Sequence, residues 1–135
     1  MPLCLPIMRH LKSPDLFGAI DRVPALGTPV GGSTFEVFNP STGELLAELP
    51  DMRIAETRAA IDKAYAAQAE WAGLTARERS ELLWQWHQLI VTHTDDLAAI
   101  LTAEMGKPLA EARSEVSHAA AYLQWYAEEA NRIYG

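Results

Sequence analysis

Thr102-Ala-Glu-Met-Gly-Lys-Pro-Leu-Ala-Glu-Ala-Arg-Ser-Glu-Val116 carries a helix stop followed at once by a helix start. Gly106 can take the left-handed backbone that ends a helix. Lys107 suits the negative carbonyl end of that helix, and Pro108 suits the first turn of the next one. One helix therefore arrives at this joint and another leaves it.

Working back from the joint, Thr94-Asp-Asp96 offers an N-cap and an acidic first turn, with Leu97, Ile100 and Leu101 as the apolar stripe of the arriving helix. Thr75-Ala-Arg-Glu78 reads as a capping box. The helix it opens is expected to bury Leu82, Leu83, Trp86, Leu89 and Ile90. Before it, Ile54, Ile61, Ala64, Tyr65, Gln68 and Trp71 fall on one broad helical face that Gly73 ends. Working forward, Leu109, Ala112, Val116, Ala119, Leu123, Tyr126, Ala127, Ala130 and Ile133 mark a helix of about seven turns. Its small residues allow close helix approach, and its stripe is too long for the short helix before it to cover alone.

The period changes upstream of Pro50. Thr34-Phe-Glu-Val-Phe38 and Glu44-Leu-Leu-Ala-Glu-Leu49 read as strands, and Asn39-Pro-Ser-Thr-Gly43 supplies the turn of a β-hairpin. Residues 1–33 hold Pro2, Pro6, Pro14, Pro24 and Pro29 with Gly18, Gly27, Gly31 and Gly32, which favours irregular structure. Met1–Met8 is apolar but lacks a leading basic region and a cleavage pattern, so a signal peptide is not expected. Met8 is an alternative start.

At 135 residues, one domain or part of one is expected. Composition, 49% hydrophobic, fits a globular chain, and no apolar run approaches a membrane span. A net charge of -7 with scattered Lys and Arg argues against nucleic acid as a partner. Cys4 is the one cysteine, so no intramolecular disulfide forms, and a reducing cytoplasm fits. Partners of both kinds, nucleic acid and membrane, are expected to be absent.

Catalytic chemistry is sparse. Cys4 lies in a proline-broken terminus with no base implied nearby. His10, His87, His93 and His118 form no i, i+4 pair, and the first three read as surface or packed residues. Gly27–Gly32 has neither a dinucleotide nor a P-loop spacing. Lys107 fits a helix break better than a phosphate contact, while Glu111 and Glu115 read as a solvated helix face. Trp71, Trp84, Trp86 and Trp125 read as core or interface packing, since no basic groove accompanies them. On these residues alone, no catalytic and no cofactor-binding residue is assigned.

A resemblance adds a parent function. Asn39–Gly43, Ala55–Arg58, Leu74–Arg79, Glu104–Ala112 and Trp125–Gly135 occur in the order and form found in the N-terminal part of aldehyde dehydrogenases. The succinate-semialdehyde dehydrogenase branch is the most similar. The resemblance implies an α-rich α+β fragment, a β-hairpin plus four helices, of the larger α/β fold of that family, with most of the nucleotide-binding sheet missing. Residues 34–135 would be the incomplete helical part of the cofactor-binding domain, after an irregular 1–33.

Family members oxidise aldehydes with NAD or NADP through a cysteine nucleophile, a glutamate and an oxyanion asparagine. The Pro-Trp-Asn-Phe, Gly-x-x-x-x-Gly, Glu-Leu-Gly-Gly and Gly-Gln-x-Cys segments that carry this chemistry do not occur here. This implies that the chain alone neither binds cofactor nor turns over aldehyde. Its partners would be the remainder of a dehydrogenase subunit or a homo-oligomer, with a small aldehyde as the parent's substrate.

By position, His118 matches a residue near the substrate tunnel, and Val37, Phe38 and Glu104 match a monovalent-cation site. The family's Ile-x-Gly-x-Trp hairpin is absent before Thr34, as a frame disturbance in residues 17–31 would explain. The alternative reading is a free-standing helical interaction module.

Overall fold

The computed structural model describes residues 11–12 and 33–133. Two strands are followed by four helices, as the sequence predicts: β1 (Thr34–Phe38), β2 (Leu45–Pro50), α1 (Ile54–Gly73), α2 (Ala76–Thr92), α3 (Thr94–Met105) and α4 (Leu109–Ala130). The expectations for Cys4, His10, the Gly27–Gly32 loop and residues 17–31 lie outside the described residues.

β1 and β2 pair antiparallel, from Thr34 opposite Pro50 to Val37 opposite Ala47, with an irregularity between Val37 and Phe38 that sets Phe38 opposite Leu45. The turn forms as its composition dictates. The Asn39 side chain accepts the Ser41 N–H at 2.9 Å, the Gly43 N–H reaches the Asn39 carbonyl at 2.8 Å, and Gly43 takes φ 73.

The capping box of α2 is present: the Thr75 N–H donates to the Glu78 carboxylate at 2.8 Å, and the Glu78 N–H donates to the Thr75 hydroxyl at 3.3 Å. At the start of α1, the Glu56 carboxylate accepts the Arg53 N–H at 3.0 Å. Gly106 adopts φ 77 and its N–H closes on the Thr102 carbonyl at 2.8 Å, the left-handed stop expected of it. Pro108 sits one residue earlier than its predicted place, as the residue before α4. The Lys107 amine forms an ion pair with Glu115 of α4.

Thr94 is not an N-cap. Only His93 separates α2 from α3, so the Thr94 hydroxyl meets the last turn of α2 and donates to Ile90 and Val91 carbonyls at 3.1 and 2.9 Å. The acidic first turn is there, and it is used: Asp96 is buried and accepts the Lys12 backbone N–H at 2.8 Å, while Asp95 pairs with Lys12 at 2.9 Å and Arg113 at 3.0 Å.

Helix packing is close where side chains are small. Ala98 of α3 and Ala112 of α4 are fully buried beside Val116, with Ile90, Leu97 and Leu101 against them. α2 and α4 run antiparallel and are joined by polar contacts that periodicity alone does not reveal. The buried Ser80 hydroxyl donates to the Ala127 carbonyl at 2.6 Å and accepts from the Asn131 amide at 2.9 Å. His87 Nδ1 lies 2.9 Å from the Ala120 carbonyl, which requires the proton to be on Nδ1.

This seam corrects the predicted face of α2. Leu83 and Ile90 are half-buried, but Leu82, Trp86 and Leu89 are exposed, because α4 meets α2 along Ser80 and His87, on a face rotated away from the larger side chains. On α4, the buried positions are Ala112, Val116, Ala120, Ala127 and Ala130, while Ala119, Tyr126 and Ile133 of the predicted stripe are exposed. Trp71 and Trp84 are half-buried, and Trp86 and Trp125 are exposed, so neither of the latter belongs to the core.

Candidate functional site

The hairpin turn and the α3–α4 joint meet at Gly106. A Cβ there would lie 3.1 Å from Pro40 Cγ and 3.4 Å from Ser41 Oγ, so the absence of a side chain is what lets the turn settle on the joint. This contact brings the end of β1 and the end of α3 to one corner. Val37 and Phe38 stand at the irregular end of β1. Glu104 stands on the last turn of α3, and partial desolvation pushes its carboxyl above the ordinary carboxylate value. The three residues predicted as a cation set thus stand beside the two segments, the hairpin turn and the α3–α4 joint, that pack together at Gly106. Among the described residues, no group of three or more His, Cys, Asp or Glu side chains gathers to hold a metal ion.

His118 lies away from that corner, exposed on the middle of α4 one turn before the exposed Tyr122. His87 is occupied by its contact with Ala120 and by Trp84, whose ring stands edge-on at 5.2 Å. Glu115 is paired with Lys107, as noted, so it is not merely solvated.

A hollow of about 320 Å³, not foreseen from the sequence, opens at the other end of the helices, lined by Trp71, Arg79, Leu83, Tyr126, Glu129 and Ile133 among others. Its charged groups serve structure. The Arg79 guanidinium donates to the Leu74 carbonyl and so ties the α1–α2 connection, and Arg132 pairs with Glu129. The clue in the sequence was the Leu74–Arg79 motif, but nothing local says that its arginine folds back onto its own leucine.

Among the described residues, the two positive-φ glycines, Gly43 and Gly106, serve a hairpin turn and a helix stop. No helix among the described residues is long and apolar enough to cross a membrane.

Comparison with known proteins gives this geometry its setting. Residues 28–135 match the model of the aldehyde dehydrogenase family. The whole chain is 64% identical over 135 residues to a protein of Sinorhizobium fredii named probable succinate-semialdehyde dehydrogenase [NADP(+)], of which it covers 28%. It is 51% identical over 104 residues to the glutarate-semialdehyde dehydrogenase of Pseudomonas putida, covering 77% of this chain and 22% of that protein.

Among solved structures, succinate-semialdehyde dehydrogenase from Burkholderia pseudomallei superposes with a TM-score of 0.76 at 49% identity over 80% of this chain and 22% of that one. An Escherichia coli NADP dependent enzyme superposes with a TM-score of 0.76 at 48% identity over 79% and 22%. The chain thus spans about a quarter of the length of the proteins it matches. With the family model covering the hairpin and all four helices, the chain belongs to the aldehyde dehydrogenase family.

Proposed function

We propose that this chain is the helical N-terminal part of an NAD(P)-dependent dehydrogenase that oxidises a dicarboxylic semialdehyde to its acid, in the manner of succinate-semialdehyde dehydrogenases. The observation that carries the reading is the 64% identity, along all of the chain, to the Sinorhizobium protein. NADP is favoured as the parent's electron acceptor, since that relative and the Escherichia coli relative, 50% identical over 104 residues, are both named for NADP(+).

The chain's own contribution is architectural. Its only cysteine is Cys4, and it lacks the glutamate, asparagine and glycine-turn segments that carry the reaction in the family, so alone it binds no dinucleotide and turns over no aldehyde. The remainder of a dehydrogenase subunit, or a homo-oligomer, is its partner, and the cytoplasm its compartment.

Within the parent enzyme, His118 is proposed to line the approach of the aldehyde, as its exposure on α4 allows. The carbonyl oxygens of Val37 and Phe38 with the Glu104 carboxylate are proposed to hold a monovalent cation, for which oxygen ligands are apt. The contact of Pro40 with Gly106, between the turn after β1 and the joint after α3, supports this.

The test is a chimera in which this sequence replaces the matched segment of the Sinorhizobium relative. It should reduce NADP⁺ when given succinate semialdehyde, and the 135-residue chain alone should not. A folded chimera with no aldehyde-dependent reduction, beside an active parent, would overturn the reading.

A further inference from the structure

The hollow at the far end of the helices gathers groups from three of them. Trp71 comes from the last turn of α1, Arg79 and Leu83 from α2, and Tyr126 and Glu129 from α4, with Arg132 and Ile133 just beyond its end. Its walls are of two kinds. Trp71, Leu83, Tyr126 and Ile133 offer rings and aliphatic groups, while the guanidiniums of Arg79 and Arg132 stand against the single carboxylate of Glu129. The hollow therefore carries a surplus of positive charge on a chain whose net charge is -7.

The fold does not use up that surplus. A guanidinium has five N–H donors. Arg79 gives one to the Leu74 carbonyl, Arg132 gives one to Glu129, and among the described residues neither makes a further hydrogen bond. Arg79 is only half-buried, and the side chains of Arg132 and Glu129 are 65% and 36% exposed, so the spare donors can be reached from solvent.

Free guanidinium donors beside aromatic rings suit a carboxylate borne on a flat apolar body. The planar fork binds both carboxylate oxygens, and the rings supply the packing surface. Inorganic phosphate would satisfy the guanidiniums but leave the apolar walls unused. A volume of about 320 Å³ lies at the lower end of the range for small-ligand clefts, so the ligand is compact.

We infer that this hollow is a binding site for a compact aromatic monocarboxylate, with Arg79 and Arg132 on the carboxylate and Trp71 and Tyr126 on the ring. Glu129 is its internal competitor, occupying Arg132 until the ligand arrives. Occupancy also has a mechanical consequence. α1 has no buried residue, and a ligand packed on Trp71 would tie the end of that helix to α2 and α4. The inference does not rest on the dehydrogenase reading.

Nuclear magnetic resonance of the isotope-labelled chain, titrated with benzoate, tests it. The Trp71 indole N–H and the Ile133 amide should shift saturably, with a Kd in roughly the millimolar range expected of so small a ligand. Benzyl alcohol, the same ring without the charge, should bind about tenfold more weakly. Equal binding of the alcohol, or equal shifts at Trp71 with phosphate, would overturn the inference.

Arg132→Gln should weaken benzoate binding about tenfold, and Glu129→Gln should strengthen it several-fold by releasing Arg132, a gain that a purely structural ion pair would not give. Unchanged affinity in both variants overturns the inference. In the chimera described under Proposed function, the same two variants should move benzoate affinity in the same directions by calorimetry. A folded chimera indifferent to both overturns the inference even where the free chain does not hold its helices. A chimera that binds benzoate in this way but oxidises no aldehyde sinks only the dehydrogenase reading and leaves the site standing.

Discussion

Single residues hold this small structure at points where there is no redundancy. Gly106 combines a left-handed φ of 77 with a turn packed against it, whereas Gly43, at φ 73, has nothing within 4 Å of where a side chain would begin. Alanine at either position incurs the left-handed cost of about 1–2 kcal/mol, and only at Gly106 must Pro40 and Ser41 also move. Urea denaturation should therefore show Gly106→Ala lowering stability more than Gly43→Ala; equal losses would mean that the turn does not rest on the joint.

Ser80 is the second such point. Its hydroxyl serves the Ala127 carbonyl and Asn131 in a site only 5% exposed. Ser80→Ala should cost about 1–3 kcal/mol, since the carbonyl of buried Ala127 and the Asn131 amide each lose a hydrogen-bond partner, measured by the same denaturation. The sequence could not announce this serine, because its partner lies 47 residues away. The same holds for His87, 33 residues from Ala120.

Elements were legible where their signals are local. The capping box at Thr75, the turn at Asn39–Gly43 and the glycine stop at Gly106 each rest on atoms within a few residues, and each formed as its composition required. Faces were less legible. Which stripe of α2 is covered depends on where α4 lies, and the stripe of large apolar residues is the one left open. The contact of the hairpin turn at Pro40 with the helix joint at Gly106 involves no motif that local reading could pair.

Helix starts also carry the pH response. Hydrogen bonds from Thr75 hold the Glu78 carboxyl below its ordinary value, and bonds from Lys12 and Arg113 do the same for Asp95. A carboxylate depressed by folding adds stability that is complete above its unfolded value and is lost as the pH falls through the folded one. Acid should therefore weaken the wild-type chain over the lower carboxylate range. Thr75→Val, which removes the hydroxyl acceptor and donor, should flatten part of that slope, and Asp95→Asn another part, followed by helicity against pH. An unchanged slope in both variants would show that these helix starts do not carry the response.

At the scale of the molecule, stability is divided unevenly between a packed trio of helices and one that stands apart. α2, α3 and α4 share the buried alanines, Val116 and the polar bonds across the seam, whereas α1 buries none of its residues. A helix of 20 residues with no fully buried side chain is marginal in water, because propensity alone barely offsets the nucleation cost. Its local aids are the Glu56 contact at its start and the Leu74 N–H to the Trp71 carbonyl at its end.

Local opening should follow this division. In hydrogen exchange of the free chain, amides in the middle of α1 should exchange orders of magnitude faster than those of α4 near Val116 and Ala120. Uniform protection across all four helices of the free chain would mean that α1 is held by contacts beyond those of the described residues, and the view of it as an independently fraying arm would have to be abandoned.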